Sequence, residues 1–347
     1  MNSTLKFDDS SITVAIVGCS GFIGCHLLQA IFERTRWRVF GVDLESYRIQ
    51  EHLANGRFEF LCADLASPSV VERLAKYPVV VNLAAICTPG RYMAEAAEVI
   101  RSNYDHPAAL ADACARSGSW LIHFSTSEIY GKTAADSGAL VEDESEIVLG
   151  PVAASRWSYA TAKLLTERYL AGLAGLSWTV VRPFNFVGPF MDFMPGVDGE
   201  GIPRVLANFS TALLRGETLK LVNGGEAKRC FTSVHDAVDF MFCLLAAGDR
   251  ALSQAFNVGN AENEVSVREL AQLMRSVYAS VRGVSLEEVP GVETVSGEDY
   301  YGKGYDDSLR RLPSVAKAES LLGFKAKIPL RTALEESLGW FVNHYAC

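Results

Sequence analysis

The chain has 347 residues, 49% of them hydrophobic and 21% charged, which suits about two domains of ~150 residues and excludes a disordered or low-complexity protein. Lys plus Arg is 32 against 41 Asp plus Glu, a net charge of −9 that argues against nucleic acid but leaves small anions open, because local arginines and helix N-termini bind phosphate regardless of the average. Eight scattered cysteines show no zinc or disulfide pattern, residues 1–13 (MNSTLKFDDSSIT) lack an apolar leader, and no apolar run reaches the ~18 residues of a membrane span, so no metal, no membrane and a cytoplasmic location are expected.

The first apolar run, ITVAIVG (12–18), leads directly into Gly18-Cys-Ser-Gly21-Phe-Ile-Gly24 and then a helical pattern, FIGCHLLQAIF. Glycines at these places let the main chain turn tightly and approach a pyrophosphate, which then rests on the helix N-terminus. A second run, WRVFGVD (37–43), ends on Asp43, 19 residues past Gly24, where a carboxylate meets the adenosine ribose hydroxyls and repels a 2′-phosphate. Strand, glycine turn, helix and acid together predict an NAD site. FEFLCAD (58–64) and VVVNLAA (79–85) follow, placing Asp64 and Asn82 at strand ends on the same edge; each taken alone reads as a turn residue.

WLIHFST (120–126) and WTVVRPF (178–184) complete a series of Val/Ile-rich runs separated by helical patterns. Such runs suit strands buried on both faces, hence an α/β fold with a doubly wound parallel (Rossmann) sheet. Between the last two runs, Tyr159-Ala-Thr-Ala-Lys163 puts a phenol and an ammonium on one face of a helix. A tyrosine of pKa ~10 needs its pKa lowered by ~3 units, about 4 kcal/mol of anion stabilisation, to act as a base at neutral pH; Lys163 and a cationic nicotinamide are the expected sources. The hydroxyls of Ser125, Thr126 and Ser127, at the end of the preceding strand, are placed to share the same substrate oxygen with Tyr159.

Beyond residue 185 glycines and prolines punctuate a loop-rich stretch, which divides the chain into a Rossmann domain (11–185) and a smaller C-terminal substrate-binding lobe (186–347), with part of 226–262 returning to the first. Ser266 and Glu269 form a capping-box signal for the helix VRELAQLMRSVYASV. GYDDSLRRLPS (304–314) reads as a polar loop before two amphipathic helices.

Through GCSGFIG, Asp43, NLAA, STSEIYG, YATAK and RPFNFVGP, in that order, the sequence resembles the extended short-chain dehydrogenase/reductases over essentially its whole length. Thr126-Ser127-Glu128 is similar to the UDP-glucuronate decarboxylase branch; the 4,6-dehydratases carry Asp where Ser127 stands. AAICTPGRY (84–92) and 182–210 resemble the plant UDP-apiose/UDP-xylose synthases, and 298–314 resembles both these and the bacterial decarboxylases that form a UDP-4-keto-pentose. The resemblance implies NAD-dependent oxidative decarboxylation of UDP-glucuronate to UDP-xylose, UDP-apiose or UDP-4-keto-pentose by a homodimer joined through helices around 96–117 and 158–174. It implies Tyr159, Lys163, Thr126, Ser127, Glu128 and Arg311 as catalytic groups, Phe22, Ile23, Leu65 and Ala84 beside Gly18, Gly21, Gly24, Asp43, Asp64 and Asn82 at the cofactor, and Arg156, Arg182, Asn185, Lys228, Arg229 and Tyr301 around the nucleotide sugar. Cys87 has two readings: a lone thiol after a buried strand is ordinarily a core residue, whereas the ICTPGRY match makes it a catalytic group. A C4 epimerase that keeps the carboxylate and a silent NAD(H)-binding regulatory protein are the alternatives, separated by carbon dioxide release.

Overall fold

The computed structural model describes residues 5–302 and 305–345; Cys347, residues 1–4 of the N-terminal segment, and Lys303 and Gly304 at the head of the expected polar loop lie outside them. The first half of the chain supplies six strands, β1 (Thr13–Val17), β2 (Arg38–Asp43), β3 (Phe58–Cys62), β4 (Val79–Asn82), β5 (Trp120–Phe124) and β6 (Ser177–Pro183). They join the later strand Gln254–Val258 in one seven-stranded sheet, ordered from that strand through β6, β5, β4, β1 and β2 to β3. Every neighbouring pair is parallel.

Alternate residues of the same strands enter different cores, which is why the runs are continuously apolar. Val14, Ile16, Val39, Val79, Val81 and Ile122 pack on one face with helix α1 (Phe22–Arg34) and helix Val234–Ala247. Ala15, Val17, Phe40, Val42, Val80 and Leu121 pack on the other with helices Pro68–Leu74 and His106–Ser117. Strand order reverses between β1 and β4, and the chain leaves both strands side by side there: the Gly18 N–H donates to the Val42 carbonyl and the Leu83 N–H to that of Val17. The crevice at that point is where a doubly wound sheet receives its ligand.

A second core is built by helices Val205–Arg215, Val267–Arg282 and Leu330–Tyr345 around Leu219 and Leu221. The Ser266/Glu269 capping box is formed, and Leu270, Met274 and Val277 turn inward from its helix. The segment around Ala318, Leu322, Phe324 and Ala326 packs back on the parallel sheet. Within the expected polar loop, Arg310–Arg311 form a short strand parallel to Lys228–Cys230, with Arg311 in register with Arg229. A pair of arginines carries no alternating apolar pattern, so only the partner strand reveals it.

Candidate active site

At the crevice, Gly18 takes φ +81° and a Cβ on it would crowd the main chain of Leu83 and Ala84, while a Cβ on Gly24 would lie 2.1 Å from the Gly18 carbonyl oxygen. Both positions require glycine for close approach. Helix α1 starts at Gly21 with no side-chain cap and no acidic residue in its first turn, so its leading amides and positive end are available to a pyrophosphate. Asp43 ends β2 with Oδ2 accepting the Ser20 N–H at 2.8 Å and Oδ1 accepting the Leu44 N–H at 2.7 Å. The carboxylate is fixed, with lone pairs left for a ribose diol. The glycine cradle, uncapped helix and anchored acid fit NAD; Phe22 and Ile23 continue from them into the wall of the neighbouring cavity.

That cavity, about 330 Å³, is lined by Cys87, Ser125, Thr126, Ser127, Tyr159 and Lys163 among others. Tyr159 and Lys163 share helix Ser158–Gly172. Tyr159 stacks on Tyr92 with ring centroids 4.8 Å apart and planes 7° from parallel, and the Tyr92 hydroxyl donates to the Cys87 carbonyl at 2.8 Å. Asn103, in a π-helical turn, donates to the Ile86 carbonyl at 3.0 Å and pins the loop that carries Cys87. Lys163 Nζ donates to the Phe124 carbonyl at 2.7 Å, and burial draws the ammonium down to about 8.

Burial, then Cys87 and Glu128, hold the phenol well above its ordinary value, and a Thr126 hydrogen bond with the more distant Arg204 offsets only part of this. The Phe124 carbonyl takes one of the three Lys163 N–H donors, so the ammonium and a bound cationic nicotinamide both remain sources of charge that favour the phenolate.

Beside this pair three arginines converge on two carboxylates. Arg156 donates to Glu128 at 2.7 Å and Asp307 at 3.1 Å; Asp307 also accepts Arg229 at 2.9 Å and Arg311 at 2.7 Å, and Arg311 lies 3.8 Å from Glu128. The cluster retains one net positive charge against the cavity. Burial alone would raise Asp307, but Arg229, Arg311 and Arg156 keep it far below the usual carboxylate range, and Arg156 and Arg311 lower Glu128 against its own burial. Arg311 Nε and Ser125 Oγ are buried with no protein partner, donors left for a ligand.

Asn185, at φ 39°, and Tyr301, stacked on Tyr305 at 4.7 Å, also line the cavity. Two residues expected at the nucleotide sugar do not. Arg182 is turned into the interior, paired with Glu167 at 2.7 Å and bonded to the Tyr130 hydroxyl at 2.7 Å, and Lys228 is exposed because alternation along its strand sends Arg229 inward instead. Among the residues expected at the cofactor, Asp64 accepts the Ala66 N–H at 2.8 Å and Asn82, fully buried, accepts the Ala84 N–H at 3.2 Å, so both side chains shape turns, and Leu65 is in the core. Asp307, Tyr92 and Arg204 were not singled out; the sequence offers an acid in a polar loop, a tyrosine closing ICTPGRY and an arginine after Pro203, none with a periodic signal. Cys87 lies in the cavity wall against Tyr92 and Tyr159, not in the sheet's core.

A sequence model of the NAD dependent epimerase/dehydratase family matches residues 14–259. The chain is similar to the UDP-D-apiose/UDP-D-xylose synthase of Oryza sativa subsp. japonica, 41% identical over 353 residues that cover 94% of this chain and 88% of that protein. It is 41% identical over 360 residues to UDP-D-apiose/UDP-D-xylose synthase 1 of Arabidopsis thaliana, covering 96% and 92% of the two. Among solved structures it is similar to the PbgP3 protein of Burkholderia pseudomallei, with a TM-score of 0.84, 30% identity, and 96% and 97% of the chains covered.

Proposed function

The chain belongs to the NAD-dependent epimerase/dehydratase family, and from that premise we propose that it is an NAD-dependent UDP-glucuronate decarboxylase that releases a UDP-pentose. The observation that carries this reading is the cluster of Arg156, Arg229 and Arg311 on Glu128 and Asp307, which brings surplus positive charge into the cavity that holds Tyr159. A sugar carboxylate is the group such a charge selects.

NAD held on the Gly18–Gly24 turn and Asp43 would supply the hydride acceptor for the sugar C4. Tyr159 takes the C4 hydroxyl proton, with Thr126 orienting the oxygen and Ser125 offering a further hydroxyl. The resulting ketone is β to the carboxylate, so the electrons of the breaking C5–C6 bond flow into the carbonyl, and carbon dioxide leaves. Tyr159, now protonated, and Thr126 hydrogen-bond the enolate oxygen as charge develops on it. Arg311 and Arg156 orient the carboxylate, and Glu128, held ionised between them, takes up a proton from solvent and passes it to C5 of the enolate once carbon dioxide has left. Arg229, Asn185 and Tyr301 supply contacts for the rest of the nucleotide sugar.

Two copies are proposed to pair through the helices around 96–117 and 158–174, supported by the outward side chains of Ile100 and Leu165. A reducing, cytoplasmic setting accords with the seven unpaired cysteines among the described residues. Incubation with NAD and UDP-glucuronate, followed by NMR of the nucleotide sugars and carbon dioxide capture, tests the activity. A UDP-pentose with one carbon dioxide per turnover is expected; UDP-galacturonate without carbon dioxide, or no turnover, overturns the reading. Light scattering at about twice 37.8 kDa tests the pairing.

A further inference from the structure

Between the parallel sheet and helix Val205–Arg215 the chain runs through a strap, residues 190–204. Two of its residues, Phe190 and Asp192, take φ 63° and 66°, left-handed backbone that a side-chain-bearing residue keeps only when its surroundings hold it there. Asp192 is held from both sides. Its carboxylate, 8% exposed, accepts the Arg204 N–H at 2.7 Å and Arg204 Nε at 3.2 Å, and its carbonyl accepts Arg48 Nη2 at 3.3 Å.

These two arginines belong to opposite ends of the site. Arg204 lines the cavity that Cys87 and Tyr92 also line. Arg48 approaches the cofactor end: its main-chain N–H meets Ser20 Oγ at 3.4 Å, and the Ser20 N–H donates to Asp43. Asp43, Ser20, Arg48, Asp192 and Arg204 thus form one continuous run of polar contacts from the ribose-binding carboxylate to the substrate cavity. Glycines at 196, 199 and 201 make the rest of the strap intrinsically pliant, so its fixed position near the cofactor depends on such fastenings.

This bears on the outcome of the proposed reaction, on which the inference rests. Hydride leaves C4 for NAD before decarboxylation and must return to the keto pentose if UDP-xylose is to form, with the cofactor unchanged over the cycle. If the reduced cofactor departs between these events, one NADH and one UDP-4-keto-pentose are released for each carbon dioxide. We infer that Asp192 is a positioning residue that latches the strap between Arg48 and Arg204 and so retains the reduced cofactor until the second hydride transfer.

The test is Asp192→Gly, which suits the left-handed backbone but removes the carboxylate, with Asp192→Asn as the conservative variant that keeps both the backbone preference and one acceptor. NADH bound to each protein is displaced by excess NAD, without substrate, and its fluorescence decay is timed. Release about tenfold faster from Asp192→Gly, with Asp192→Asn between it and the unaltered chain, is expected from the loss of a charge-assisted contact. With UDP-glucuronate present, free NADH and UDP-4-keto-pentose per carbon dioxide should rise in the same order. Release from folded Asp192→Gly within twofold of the unaltered chain overturns the latch. If circular dichroism shows that Asp192→Gly is unfolded, Arg48→Gln cuts the link from the other side, and unchanged NADH release there overturns it equally. Absence of carbon dioxide from the unaltered chain defeats the decarboxylase reading alone, since the substrate-free measurement still decides whether Asp192 retains the cofactor.

Discussion

At the proposed cofactor end the groups on offer are main-chain amides between Gly18 and Gly24 and one carboxylate, Asp43, held by amides of Ser20 and Leu44. In the neighbouring cavity they are side chains brought from residues 87, 126–128, 156, 159, 229, 307 and 311, of which Glu128, Arg156, Arg229, Asp307 and Arg311 hold one another through ion pairs. Backbone recognition needs space, so it selects glycine and tolerates exchange of its neighbours. Side-chain recognition in a buried setting needs matched partners, so each residue depends on distant ones. The two halves should therefore fail differently when altered.

The largest effect is expected where neither kind of compensation exists. Tyr159→Phe should lower carbon dioxide release about a thousandfold while UDP-glucuronate binding by calorimetry changes only a few-fold, because one ionisable oxygen is lost. The same residue carries a pH signature. Burial, Cys87 and Glu128 hold its phenol above the ordinary tyrosine value, so in cofactor-free protein its phenolate should appear only above about pH 10, and bound NAD should move the ultraviolet midpoint to lower pH. An unmoved midpoint, with Tyr159→Phe as the blank, would remove the nicotinamide as the source of the base.

Two arginines next separate structure from recognition. Arg182→Met leaves Glu167 buried without its partner and should cost about 3 kcal/mol in denaturant unfolding with KM unchanged. Arg311→Met should instead weaken UDP-glucuronate binding about 10- to 100-fold, and UDP-glucose binding hardly at all, since only the former presents a carboxylate. Equal losses for both ligands would make Arg311 a structural residue like Arg182.

At the cofactor end Asp43→Ala should weaken NAD about tenfold and narrow the preference over NADP, and should cost about 1–3 kcal/mol in unfolding because the buried Ser20 N–H loses its acceptor. The smallest expected change is in product choice. Cys87→Ala should keep decarboxylation but shift product from apiose toward xylose or the free keto pentose, because ring opening requires proton transfers beyond those of Tyr159 and a thiol, which ordinarily titrates near pH ~8.5, suits them. NMR of the product ratio decides this, and an unchanged ratio would assign Cys87 to packing against Tyr92 and Tyr159 alone.

The parallel sheet, the glycine turn, Asp43 and the capped helix at Ser266 were legible because each is written in neighbouring residues: the period of burial, the absence of a Cβ, an acid at a strand end. Tyr159 and Lys163 were legible as a helical pair, yet the hydrogen bond that takes Lys163 to Phe124 was not. What separates Arg182 from Arg229, or Lys228 from Arg311, appears nowhere in local sequence. One arginine faces Glu167 inside a helix–strand interface, and the others meet only because a two-residue strand at 310–311 pairs beside 228–230. The sequence by itself determined the elements and the chemistry on offer, since both follow from side-chain type and short-range spacing. Only the tertiary structure decided which charges are paired, because a buried ion's partner is set by packing across the fold and by the cost of leaving it alone, and neither is encoded within one segment.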